Sequence, residues 1–309
     1  MARKASLMAM AALLLSGSAW VAASAEVQRT FATTEEASAA LASAARSHDE
    51  AALHAIFGPD GGRLLSSGDP RADKEGQRRF AAAYDEKHVL DQEGTNREVL
   101  VVGNNDWPLP IPLVQSGGRW RFDTKEGAEE IINRRIGRDE LAAIRVALAY
   151  VDAQKVYFAH KKSETGTGAY AERLISRPGH HDGLYWPAAG GADSPFATLV
   201  AQAEEEGYRG AFSGKHIPYQ GYYFRVLQAQ GPEAPGGARS YINSGRMSEG
   251  FALVAWPAGY GSSGIMTFQV SDDGVVFQKD LGSDTARLAA SITRFDPDLT
   301  WARIEVADQ

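Results

Sequence analysis

Cysteine is absent from this 309-residue sequence. That excludes a disulfide framework, a thiolate nucleophile, a cysteine-ligated metal site and a lipid-attachment cysteine behind a leader. A basic excess is also missing: 32 Lys and Arg face 39 Asp and Glu, with no basic block. Nucleic acid is therefore not an expected partner, because phosphate binding needs clustered Lys and Arg. Beyond the first 25 residues no apolar run is long enough for a membrane span, and the longest candidate, residues 140–151, is interrupted by Arg145. Nucleophile elbows of the form GxSxG, SxxK pairs and HExxH do not occur, and the glycines of Gly166-Thr167-Gly168 make neither a GxGxxG nor a phosphate loop. Residues 259–264, GYGSSG, carry serines at the wrong spacing for such an elbow.

The N-terminus is where apolar residues do cluster. Arg3 and Lys4 precede an apolar stretch at residues 7–15, and Ala23-Ser24-Ala25 supplies small residues before Glu26. This order predicts an export signal cleaved between Ala25 and Glu26, leaving a periplasmic or secreted chain of 284 residues. Without Arg3 and Lys4 the remaining chain has 30 basic and 39 acidic residues, a net charge of −9.

Periodicity divides the chain after Glu26 into helical and extended segments. Thr33 or Thr34 caps a first helix with Glu35 and Glu36 near its positive end, and Ala37, Leu41 and Ala44 form its apolar stripe. Asp49 starts a second helix stopped by Gly58-Pro59, and a third covers residues 74–87 with Phe80 and Tyr84 on one face. Strands are expected at residues 98–102, 110–115 and 119–123, the last two joined by a Ser116-Gly117-Gly118 hairpin. A connecting helix at 124–136 should end at Gly137. A longer one, 139–159, should bury Leu141, Ile144, Leu148 and Val151, with a polar loop at 161–168 and a short helix at 195–206 after it. Four strands come next, at 222–228, 250–256, 264–270 and 275–279, with a tight turn at Asp272-Asp273-Gly274. The fold class is α+β: N-terminal helices plus an antiparallel sheet, then a long helix packed on a C-terminal four-stranded antiparallel sheet. The expected divisions are a signal at 1–25 and domains at 26–137 and 138–309.

Several stretches together, among them LLSSGDPRAD, NDWPLPIPLV, EEIINRRIGRDELAAI, RPGHHDGLYWP and GFALVAWPAGYGSSGIMTFQVSDDG, resemble the domain-of-unknown-function family 2950. The resemblance covers nearly the whole chain after the leader. It implies a bacterial exported protein and carries no activity or site residues. The helix-helix opening and the hairpin LVQSGGRWRFD resemble the cone-shaped nuclear-transport-factor-2-like domains. Residues 221–282 are similar to the C-terminal sheet of pilin-like proteins, although the hydrophobic assembly helix of a pilin is missing.

Two stretches carry candidate binding residues. In RPGHHDGLYWP, residues 177–187, adjacent His180 and His181 point to opposite sides of an extended chain, so only one can join Asp182 at a metal. A turn at Asp182-Gly183 with Tyr185 and Trp186 packed beneath is the structural alternative to a ligand loop built from His181, Asp182, Tyr185 and Trp186. In Asn104-Asn105-Asp106-Trp107-Pro108, Asp106 and Trp107 either line the mouth of the first domain or form a turn before Pro108. No catalytic residue, metal site or cofactor is assigned. The favoured reading is a non-enzymatic cell-envelope accessory or binding protein, with envelope proteins or a small ligand as partners. The alternatives are a small-molecule-binding or hydrolytic enzyme using a cavity in the N-terminal domain, and a pilin-like secretion component.

Overall fold

The structure, a computed structural model, describes residues 27–187, 194–213 and 217–305. The expected signal and its cleavage point at Ala25 and Glu26 lie outside the described residues. Helix α1 (Thr34–Ser47) begins where Thr33 accepts a hydrogen bond from the Glu36 amide, and α2 (Glu50–Phe57) where Asp49 accepts from Ala52. A short α3 (Gly62–Leu65) precedes α4 (Pro70–Glu86). Helix α4 starts four residues before the expected Lys74. Asp69 accepts from the Arg71 and Ala72 amides, and Pro70 occupies the first turn, where its missing N–H is harmless.

The first sheet contains β1 (His88–Gln92), β2 (Arg97–Val102), β3 (Trp107–Pro108), β4 (Leu113–Ser116) and β5 (Arg119–Phe122). Its order is β1-β2-β4-β5, all antiparallel, and β3 pairs with β2 at Val101 and Val102. Strand β1 was not expected. HVLDQ is almost wholly exposed, so its pairing with β2 leaves no alternating pattern in the sequence.

Helix α5 (Thr124–Thr165) is one continuous helix, about 63 Å long at 1.5 Å per residue. It runs through the expected break at Gly137, because an interior glycine costs a helix only about 1 kcal/mol relative to alanine and packing on both sides outweighs that. It also continues past Ala159 until Gly166, whose left-handed backbone places its amide on the Lys162 carbonyl. The expected face is met in part: Val151 is buried and Ile144 and Leu148 pack half-buried on the core. Ala143, Val146, Ala147, Tyr150 and Val151 are buried, whereas Leu141 is 59 % exposed. Small alanines let the helix approach the sheet closely, so the face is chosen by fit and not by side-chain size.

The second half contains β6 (Arg173–Ile175) and β7 (Gly183–Tyr185), a parallel pair, and α6 (Ala197–Glu205). Strand β8 (Tyr222–Leu227) leads to β9 (Ala229–Gln230) and β10 (Arg239–Ser240), then β11 (Ile242–Asn243) and β12 (Arg246–Met247), two short ladders. The chain then forms β13 (Ala252–Pro257), β14 (Met266–Ser271), β15 (Val276–Asp280), α7 (Thr285–Ser291) and β16 (Ala302–Arg303). The C-terminal sheet has the order β16-β15-β14-β13-β8. It holds the four expected strands plus the short edge strand β16. Helix α5 packs on this sheet, and the Tyr150 hydroxyl donates to the Ala252 carbonyl at 3.1 Å.

Each half has its own buried apolar core. Phe31, Leu41, Leu53, Ile56, Leu113 and Phe122 belong to the first. Tyr150, Leu184, Tyr222, Phe251, Leu253 and Phe268 belong to the second. Helix α5 spans both, and Ile132 and Ile136 form a small third cluster with Ala128 between them.

Candidate functional site

A cavity of about 450 Å³ opens between α1, α4, the first sheet and α5. Leu41 and Leu53 from α1 and α2, Phe80 from α4, Val102 and Trp107 from the sheet, and Ile131 from α5 supply apolar wall. Helical spacing brings Asp73, Gly76 and Phe80 of α4 onto one face, and Ile131, Arg134, Arg135 and Arg138 of α5 onto the facing one. The lining thus combines apolar side chains with four guanidinium groups (Arg79, Arg134, Arg135 and Arg138) and a single carboxylate, Asp73.

Arg135 is 9 % exposed. Its Nη2 donates to the Leu64 carbonyl at 2.6 Å and the Arg63 carbonyl at 3.4 Å, both at the end of α3. Its Nη1 is buried with no hydrogen-bond partner, and Asp73 Oδ1 lies 3.6 Å away. The Asp73 carboxylate accepts from the Ser67 amide at 3.1 Å through Oδ2. Burial pushes the Asp73 carboxyl above the usual range, against the Ser67 hydrogen bonds and the Arg135 charge. Burial likewise lowers the Arg135 guanidinium, against the attraction of Asp73 and Asp139. The other three guanidiniums are engaged: Arg134 with Glu130, Arg138 with Asp139 and Arg79 with Glu75.

A second, polar cleft of about 560 Å³ adjoins the first. The two share Ala72, Arg79 and Arg138, and the cleft extends to Asp139, Glu206, Tyr208 and Gln220. At Asp139 and Gln220 it borders the junction of the two halves. Asp69, 1 % exposed, accepts from the Gly221 amide at 2.9 Å. Ser263 donates to the Gly221 carbonyl at 2.8 Å, and Glu140 accepts from the Ile265 and Met266 amides at 2.9 and 3.0 Å. Asp139 is 2 % exposed; Oδ1 meets Arg138 at 3.0 Å, while Oδ2 has no hydrogen-bond partner. Burial raises its pKa to about 6, against the nearby Arg138 charge. Gly221 has φ +79°, and a Cβ there would lie 2.8 Å from Asp139 Oδ2. Only glycine fits this point without strain.

The sequence candidates fall in two places. Trp107 lines the cavity, and Asp106 beside it sits at φ +50° with Lys87 Nζ donating to its Oδ1 at 2.5 Å. The other four lie in the second half, apart from the cavity. Asp182 Oδ1 accepts from the Arg177 amide at 2.9 Å and Oδ2 from Arg177 Nε at 2.6 Å. His181 stacks on Trp186 with ring centres 4.5 Å apart, Trp186 is buried against Tyr157, and Tyr185 packs half-buried on the same core. Asp182-Gly183 does not form the expected turn. The chain reverses at Pro178-Gly179, where Gly179 has φ +77° and the His180 amide donates to the Arg177 carbonyl, and Gly183 belongs to β7. Proline at the second position and glycine at the third match a tight turn better than Asp-Gly does here, and parallel pairing of β7 with β6 claims Gly183. Among the described residues no group of three or more His, Asp or Glu side chains stands in an arrangement that could hold a metal ion.

Sequence reasoning missed Asp69, Asp73, Arg135, Asp139 and Gly221. Asp69-Pro70 is a cap followed by proline, which was a legible signal for the start of α4. The run containing Arg135 and Asp139, NRRIGRDE, reads as a solvated helix face, and only its contacts show otherwise.

An α+β chain with two cores strung on one helix, and a cavity beside that helix, is the class these observations define. The chain belongs to the family described as Protein of unknown function (DUF2950), whose model matches residues 28–304. No curated protein and no solved structure matches it.

Proposed function

We propose that this protein is an exported small-molecule-binding protein whose ligand occupies the cavity between α1, α4 and α5. The observation that carries the reading is the cavity itself. Its volume falls within the roughly 300–1,000 Å³ of small-molecule sites, and its apolar lining meets a few convergent polar groups. Its described lining contains no serine, threonine, histidine, lysine or tyrosine, so no nucleophile stands beside a base there. That favours binding over hydrolysis. Trp186, Tyr219, Tyr222 and Trp256 are buried, so they present no aromatic surface to a protein partner. Export rests on the charged, apolar and small-residue order of residues 1–25.

Gly76 offers the test. It lines the cavity in mid-helix, and a Cβ there would meet only Arg79 Nη2, at 4.0 Å. Gly76→Leu should fill the cavity while leaving stability unchanged or up to about 1 kcal/mol higher, since leucine is the better helix former. Titration with the neutral fluorescent probe N-phenyl-1-naphthylamine should show saturable binding to the wild type and at least a fivefold loss in the variant. Binding that is absent in the wild type, or undiminished in Gly76→Leu, would sink the proposal.

A further inference from the structure

We infer that the ligand of this cavity is an uncharged, mainly apolar molecule, held against Leu41, Leu53, Phe57, Phe80 and Trp107 without an ionic contact. This rests on the cavity reading above and adds the chemical class of its occupant.

Every charged side chain of the described lining already has an internal partner. Arg134 Nε donates to Glu130 at 2.8 Å, Arg138 meets Asp139 at 3.0 Å and Arg79 meets Glu75 at 3.4 Å. Arg135 donates to the Leu64 carbonyl and is paired with Asp73, which also accepts from the Ser67 amide. Gln77, the one amide side chain of the lining, bonds through Oε1 to His48 Nδ1 at 2.7 Å. A ligand of either charge therefore finds no unpaired counter-charge. It would have to break one of these pairs or leave water without a partner, and both are costly.

Exposure sorts the same residues. The side chains of Arg79, Arg134 and Arg138 are each more than half exposed, so water and their counter-charges screen them. Leu41, Leu53, Phe57 and Val102 are buried, and Phe80 and Trp107 are half-buried. Surface of this kind gains when hydrocarbon or aryl groups replace water, and the gain grows with the apolar area covered. Affinity in this cavity is therefore set by apolar area, and a charge on the ligand works against it.

Octanamide and octanoate have nearly the same shape and differ in charge, and octylammonium puts the opposite charge on a like chain. Near neutral pH, octanamide should displace N-phenyl-1-naphthylamine from the full exported chain about tenfold more tightly than either ion. From hexanamide to octanamide, each added methylene should strengthen displacement about three- to fourfold. Glu75→Gln removes the carboxylate paired with Arg78 and Arg79 while keeping a good helix former. Octanoate should gain about two- to threefold in this variant at low ionic strength, and octanamide should not change. The uncharged, apolar class is overturned by an ion that binds as tightly as octanamide, by affinity that is flat in chain length, or by octanoate unmoved in Glu75→Gln. Octanamide that fails to displace a bound probe overturns it too, and in each of these cases probe binding leaves the cavity standing. Failure of the probe itself to bind overturns the cavity reading beneath it.

Discussion

Asp69 and Gly221, 152 positions apart, are joined by one hydrogen bond: the Asp69 Oδ2 accepts from the Gly221 amide at 2.9 Å. The same carboxylate caps α4 through Oδ1, which accepts from Arg71 and Ala72 at 3.1 Å. One buried side chain therefore starts a helix of the first half and fastens the first strand of the C-terminal sheet. Asp69→Ala should lose the cap and leave the Gly221 N–H unsatisfied. The combined cost should be roughly 2–4 kcal/mol, read as a lower urea midpoint. A cost below about 0.5 kcal/mol, the level of ordinary surface substitutions, would show that the junction does not depend on it.

Asp139 predicts a pH dependence. Its folded pKa is raised to about 6 from 3.8, chiefly by burial. Between those values the folded state binds the proton more tightly than the unfolded one. Its contribution is therefore most favourable below about pH 4 and is lost as pH rises through 6. Asp139→Asn removes the charge and keeps the shape, so it should stabilise the protein at pH 7.5 by on the order of 2 kcal/mol and much less at pH 4.5. Melting temperatures of the two proteins across this range check the sign. A difference that does not change with pH would refute it.

The loop at residues 177–187 separates packing from chemistry. Trp186 is buried, stacks with His181 and meets Tyr157 edge-on with ring centres 6.3 Å apart. Trp186→Ala should cost roughly 3–5 kcal/mol. His181→Ala should cost about 0.5–1.5 kcal/mol through the lost stacking, and exposed His180→Ala less than about 0.5 kcal/mol. Chemical unfolding of the three variants gives the order. A His181→Ala protein that stays folded but loses N-phenyl-1-naphthylamine binding would move the functional site to this loop.

Export predicts a mature chain beginning at Glu26. N-terminal sequencing of the periplasmic or secreted protein should read Glu-Val-Gln-Arg, and an uncleaved cytoplasmic product would count against the leader assignment.

Much of the fold could be read from local chemistry. Thr33 and Asp49 cap α1 and α2 as their side chains dictate, and Gly117-Gly118 and Asp272-Asp273-Gly274 turn the chain between the strands on either side of them. These features depend on neighbours in sequence: a side-chain oxygen reaching an amide three residues away, or a glycine taking a positive φ. The α+β order of helices and antiparallel strands comes from the same signals.

Tertiary structure decided the rest. Helix α5 passes through Gly137 because both cores pack on it, and its buried face tracks the alanines that allow close approach to the sheet, leaving Leu141 outside. Gly183 is claimed by pairing with β6, so the turn falls at Pro178-Gly179 instead. The cavity and junction depend most on long-range contact. Asp69, Asp73, Arg135 and Asp139 look like surface residues in sequence, since charged side chains in a polar run are ordinarily solvated. Burial changes their meaning, because a desolvated charge must find a partner, shift its pKa or await a ligand, and which of these occurs is set by atoms far away along the chain.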